Sequence, residues 1–154
     1  MPRRGQGGFT LIELIVAFTI LSLLSVMAVP IARYKVRRQR EIELRRALYE
    51  IRTAIDKYKD MADQGKLGQQ KLGSEGYPES LEILVEGVKL PTAEDKKLKF
   101  LRRIPRDPFT NSTDWGKRNM KDDPKAMNWG GDHVFDVYTK TLEKAPDGTP
   151  YSEW

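Results

Sequence analysis

Hydrophobic positions along this chain fall into two regimes. From Leu14 to Ala32 there are nineteen consecutive residues without a charge. As a helix, such a run reaches across a hydrocarbon core of about 30 Å. Farther on, Leu44, Leu48, Ile51, Ile55, Tyr58 and Ala62 recur at steps of four and three, which is one face of a helix. Arg45, Arg52, Asp56, Lys59 and Asp60 fall mostly on the other faces. Together the two patterns predict one helix from Phe9 to about Asp63, apolar all round in its first half and amphipathic in its second. The stripe is shorter than three heptads, so it points to packing on its own domain rather than to a coiled coil. Pro30 falls inside the helical pattern, where it removes a backbone hydrogen bond and predicts a kink or a hinge.

Past the helix the pattern shortens. Gly65, Gly68 and Gly73 mark a loop. Tyr77 to Glu86 reads as a short helix with Pro78 in its first turn and Gly87 as its stop. Leu98 to Ile104 reads as extended, ended by Pro105. A turn-rich stretch from Asp107 to Lys125 follows, with Trp115 and Trp129 as expected anchors. His133 to Lys140 is the strongest strand signal, Val134, Asp136 and Tyr138 alternating with Phe135, Val137 and Thr139. Pro146 to Pro150 is a turn. A long helix followed by short strands is an α+β pattern: a helix packed on a small antiparallel sheet.

Composition narrows the chemistry. The chain has 154 residues, no cysteine and one histidine, so thiolate nucleophiles, disulfides and a two-histidine metal site within one chain are excluded. No paired-carboxylate, nucleophile–base or phosphate-loop arrangement stands out, and Gly5-Gln6-Gly7-Gly8 follows no strand. His133 reads as structural, and the chain does not read as an enzyme. Net charge is +5, with Arg33, Lys35, Arg37, Arg38, Arg40, Arg45 and Arg46 grouped behind the apolar run. Such a run is usually a solvated face, and only Tyr34 interleaves it, so no nucleic-acid partner is expected. On charge alone, this cluster would keep the C-terminal part in the cytoplasm.

Glu13 sits at the head of the apolar run, where a carboxylate costs up to about 3 kcal/mol if drawn to the bilayer centre. Its setting, Gly7-Gly8-Phe9-Thr10-Leu11-Ile12-Glu13-Leu14, resembles the processing site of type IV pilins and type II secretion pseudopilins. The resemblance implies cleavage between Gly8 and Phe9 by a prepilin peptidase and methylation of the new amine on Phe9. It places Glu13 at the family's filament-registering glutamate and Pro30 at its helix proline. The implied organisation is a leader over 1–8, a transmembrane and filament-core helix over 9–32 and a periplasmic pilin-like domain over 33–154. The chain would be single-pass in the bacterial inner membrane, opposite to the charge rule.

Later motifs resemble the major, G-type pseudopilins: Tyr77-Pro78, Ile104-Pro105-Arg106-Asp107-Pro108-Phe109, and the closing Asp147-Gly148-Thr149-Pro150-Tyr151-Ser152-Glu153-Trp154. The segment between Phe109 and Asn128 departs from that group. The implied function is that of a subunit of a periplasmic pseudopilus driving protein export. Its implied partners are further copies of itself, other pseudopilins, the prepilin peptidase and an inner-membrane assembly platform. Many G-type members bind calcium near the C-terminus; here Asp147, Ser152 and Asp136 are the candidate ligands, with Lys140 and Lys144 close by in sequence. Two further readings stay open. A type IV pilus pilin shares everything through Pro30, although the missing cysteine pair argues against many adhesive pilins. A conventionally secreted basic binding protein, cut near Val26-Met27-Ala28, is opposed by Glu13 and by the helical pattern that runs past the cut.

Overall fold

The computed structural model describes residues 8, 10–71, 73–91 and 93–154, without the side chains of 27–29 and 93–96. Helix α1 runs from Leu11 to Asp63 and continues through Pro30. Two compact units divide the chain between Gln39 and Arg40. In the first, α1 carries its apolar side chains outward: Leu11, Phe18, Leu21 and Leu24 are each at least 60% exposed. This helix has a window of mean hydropathy 2.5, none of it buried within the protein. Length and composition suit it to crossing a bilayer, where these side chains would meet lipid.

The second unit, Arg40–Trp154, is built on the amphipathic half of α1. Leu44, Leu48, Ile51, Ile55 and Tyr58 are buried as the stripe predicts, while Ala62 packs at its margin. Ala47 and Ala54 widen the buried face; their small side chains let other segments approach the helix. Burying each large side chain is worth about 1.5–3 kcal/mol, so this face is the main fastening of the unit. Against it lie Leu67, Leu81, Leu84, Leu101, Trp115, Val134, Val137 and Tyr151.

Helix α2 spans Leu81–Glu86, with Ser80 at the N-cap. Pro78 therefore precedes the helix instead of entering its first turn. Its carbonyl accepts the Val134 N–H at 2.8 Å, so the segment before α2 is tied to the later chain. Gly87 ends α2 at φ 83°, donating its N–H to the Ile83 carbonyl at 3.0 Å. A side chain there would also strike the Leu98 carbonyl, so the predicted stop depends on glycine twice.

The strands form two separate antiparallel hairpins rather than one sheet. Strands β1 (Val88–Leu90) and β2 (Ala93–Leu98) pair Val88 with Leu98 and Lys89 with Lys97, with an irregularity before Leu90. The extended segment expected from Leu98 to Ile104 thus lies earlier. Beyond Leu98 the chain leaves the ladder, and the N–H groups of Phe100 and Leu101 both donate to the Leu84 carbonyl at 2.9 Å. Strands β3 (Gly116–Arg118) and β4 (Asp136–Tyr138) pair in register, Gly116 opposite Tyr138.

The predicted strand from His133 to Lys140 contracts to β4, and its burial does not alternate. His133, Val134, Val137, Tyr138 and Thr139 are all buried, whereas Phe135 is 42% exposed. The α1 face, the Asp107 turn and β3 enclose this segment on several sides, which overrides a period of two. Trp115 is a buried anchor, its indole N–H donating to the Pro105 carbonyl at 2.9 Å. Trp129 is 41% exposed and caps the His133 carbonyl instead.

Gly116 carries the tightest packing in this hairpin. A Cβ at that position would fall 2.3 Å from the Tyr138 ring. Gly116→Val should therefore displace Tyr138 and destabilise the domain by about 1–3 kcal/mol. Thermal unfolding should show a lowered midpoint, whereas Gly148→Val, in open space but at positive φ, should report backbone strain alone.

Candidate functional site

Gly8 is exposed, and nothing lies within 4 Å of where its Cβ would stand. Phe9, the other half of the predicted cleavage junction, lies outside the described residues. Thr10 caps α1. Its hydroxyl accepts the Glu13 N–H at 3.3 Å. Glu13 answers through Oε2, which accepts the Thr10 N–H at 2.9 Å and the Thr10 hydroxyl at 3.0 Å. This reciprocal arrangement is a capping box, Thr-x-x-Glu, and it satisfies donors that a helix N-terminus leaves unpaired. The spacing was present in the sequence as Thr10-Leu11-Ile12-Glu13, a signal that the membrane reading of Glu13 passed over.

A carboxylate at this position also complements the positive end of the helix. Glu13 is thus an acid placed at the mouth of an exposed apolar helix and oriented by its own backbone. Downstream, the hydroxyls of Thr19 and Ser25 each donate to the carbonyl four residues earlier, at 2.8 Å. These polar groups are satisfied within the helix, as an apolar environment requires.

The Ile-Pro-x-Asp-Pro-Phe motif acquires a specific structural role. Asp107 is 1% exposed. Its Oδ1 accepts the Phe109 N–H at 2.8 Å, and its Oδ2 accepts the Thr139 hydroxyl at 2.5 Å. Its backbone closes the turn in both directions, donating to the Ser112 carbonyl and accepting from Asn111, each at 2.8 Å. One carboxylate therefore joins the start of the turn-rich segment to the residue after β4. Phe109 then meets Tyr151, ring centroids 4.3 Å apart, and the Tyr151 hydroxyl donates to Glu41 on α1 at 2.7 Å.

The departing segment between Phe109 and Asn128 is held by its own turns. Asn119 Oδ1 accepts the N–H groups of Lys121 and Asp122, and Asp122 Oδ2 accepts those of Asn119 and Gly130. The Tyr138 hydroxyl donates to the Met127 carbonyl at 2.6 Å, and Arg118 Nε to that of Ala126 at 2.9 Å.

The basic cluster stays at the surface, Arg37 alone being half-buried. The Arg45 guanidinium lies over the Trp154 ring, 4.2 Å from its centroid. Farther along α1, Arg52 grips the Asp136 carboxylate through Nε at 2.6 Å and Nη2 at 3.2 Å.

The predicted calcium ligands have separate roles. Asp136 lies between Arg52 and Arg118. Asp147 is exposed and accepts the Thr149 N–H at 2.9 Å, which holds its carboxyl below the usual aspartate range. Ser152 is buried, and its carbonyl accepts Arg118 Nη2 at 3.0 Å. Among the described residues no group of three or more acidic or histidine side chains is placed to hold a metal ion. His133 is buried with Nδ1 unpaired, stacked on Tyr77 at 5.7 Å.

Comparison with known proteins bears directly on the N-terminal segment and on the whole chain. The model of the prokaryotic N-terminal methylation motif matches residues 3–29. The type II secretion system core protein G of Pseudomonas aeruginosa is 30% identical over 116 residues, covering 72% of this chain and 73% of that protein. The chain belongs to the G-type pseudopilin family. No solved structure matches it.

For a pseudopilin of this type, the capped N-terminus with its apolar helix fits a membrane-anchored component of type II secretion. The folded unit behind it follows the Asp107 turn and the α1 stripe. Asp107→Ala would leave the Thr139 hydroxyl and the Phe109 N–H without their buried acceptor. At about 1–3 kcal/mol for each of the two stranded groups, stability should fall by roughly 2–6 kcal/mol. Denaturant unfolding should reveal the loss, and Asp107→Asn, which keeps one acceptor, should lose less.

Proposed function

We propose that this pseudopilin is a non-enzymatic filament subunit, inserted in the inner membrane with residues 1–8 in the cytoplasm and its C-terminal domain in the periplasm. Prepilin peptidase cuts between Gly8 and Phe9 and the new amine is methylated. Mature subunits leave the bilayer through an assembly platform and stack with their apolar helices inward, forming a pseudopilus that drives protein export across the outer membrane. The observation that carries this reading is the carboxylate of Glu13 at the mouth of an apolar helix whose hydropathic window has no buried part.

Glu13 has two functions in this scheme. Within its own chain it closes the cap with Thr10. Between chains it receives the amine of Phe9 from a neighbour, an ion pair that registers the stagger and makes assembly wait for cleavage. In a low-dielectric bundle an unpartnered charge costs several kcal/mol, so wrong staggers are disfavoured. Pro30 leaves one backbone acceptor of α1 unbonded and is the point where the helix adapts to packing.

Capping and registration respond differently to substitution. Glutamine serves in a capping box but carries no charge. Glu13→Gln should therefore insert, be cleaved and keep the helix start, yet fail to form filaments; Glu13→Ala should also fray the first turn. Pelleting and electron microscopy of sheared filaments read assembly, and normal filaments from Glu13→Gln would remove the registering role. Mass spectrometry of the mature protein should find a methylated Phe9 at its start. A start near Val29 would instead establish conventional secretion.

A further inference from the structure

We propose that the guanidinium groups of Arg118 and Arg52 take the place of the calcium ion that family resemblance implies, fastening the C-terminal segment without metal. The inference concerns the folded unit alone and does not depend on the assembly scheme. Arg118 is 5% exposed. Its Nε donates to the Ala126 carbonyl at 2.9 Å and its Nη2 to the Ser152 carbonyl at 3.0 Å, while Nη1 lies 3.5 Å from Asp136 Oδ2. Its plane covers the Tyr138 ring at 4.1 Å. One buried cation thus gathers oxygens from the segment between Phe109 and Asn128, from β4 and from the 3-10 turn at Tyr151–Glu153.

Arg52 reaches the same carboxylate from α1. Beyond its two bonds to Asp136, its Nη2 donates to the Val137 carbonyl at 3.2 Å and the Trp154 main-chain oxygen at 2.8 Å. The two side chains bind one carboxylate and four main-chain oxygens, drawn from the kinds of group that calcium gathers. Guanidinium suits this role because it is planar, keeps its proton and presents donors in a fixed fork.

The oxygens are already taken. Asp136 is shared between two guanidiniums, and Arg52 also occupies the Trp154 main-chain oxygen. Arg45 lies over Trp154, and Lys140 is paired with Asp114. Of the nearby acids, Glu153 pairs with Lys125, while Asp147 is an exposed turn residue. A divalent ion would have to displace an arginine whose own charge then lay buried and unpaired.

Thermal unfolding of the full mature chain in detergent micelles, in EGTA and in millimolar calcium chloride, tests the proposal. The two melts should coincide, and calorimetric titration with calcium chloride should show no binding heat. A bound ion at a hundredfold excess over its dissociation constant would raise the midpoint by on the order of 10 °C, and that result would overturn the proposal. Arg118→Lys keeps the charge but loses the fork, so it should melt lower than wild type in both buffers. A wild-type midpoint for that variant would equally defeat the assignment. Should it fail to fold in either buffer, the requirement for the fork is met, and the wild-type comparison still decides the role of calcium.

Discussion

The buried face of α1 from Leu44 to Tyr58 is the constraint on which the folded unit depends. Neither hairpin is large enough to stand alone: β1, β3 and β4 have three residues each, and isolated two-stranded ribbons are marginal in water. Both can exist because Leu84, Trp115, Val137 and Tyr151 are drawn onto one apolar helical surface. The rest of the chain is largely turns, whose order must come from specific polar contacts rather than from long ladders.

Three of those contacts share a design. Asp107, Arg118 and Arg52 are charged groups placed between segments distant in sequence, each satisfying several backbone or hydroxyl groups at once. A buried charge is costly unless it is paired and hydrogen-bonded, so such groups work only where the surrounding turns are themselves fixed. The aromatic contacts from Phe109 to Tyr151 and from Tyr151 to Trp154 complete the same connection on its apolar side. The C-terminal residues are thereby bound to α1 through both Glu41 and Arg52.

The N-terminal half of α1 obeys a different requirement. Its side chains face outward, and Thr10, Glu13, Thr19 and Ser25 find their hydrogen-bond partners within the helix. Such a helix needs an apolar environment supplied from outside, whether lipid or the helices of other subunits. In family terms this is the division of a pseudopilin: a segment completed by its surroundings and a domain completed within the chain.

Periodicity along the chain was enough to set α1, its buried stripe and the stop at Gly87, because these depend on residues three or four apart and on a single backbone conformation. The N-terminal motif was equally local. It was enough to point to the family, although the cap that Glu13 forms with Thr10 lay unread in the same eight residues. The hairpins, the partners of Asp136 and the burial of His133 to Thr139 were decided only by the tertiary structure. Strands of three residues carry almost no periodic signal, and enclosure on several sides erases alternation. Asp136 meets Arg52 across 84 residues of sequence; a charge's partner at that separation is a property of the packed chain, where proximity in space replaces proximity in sequence.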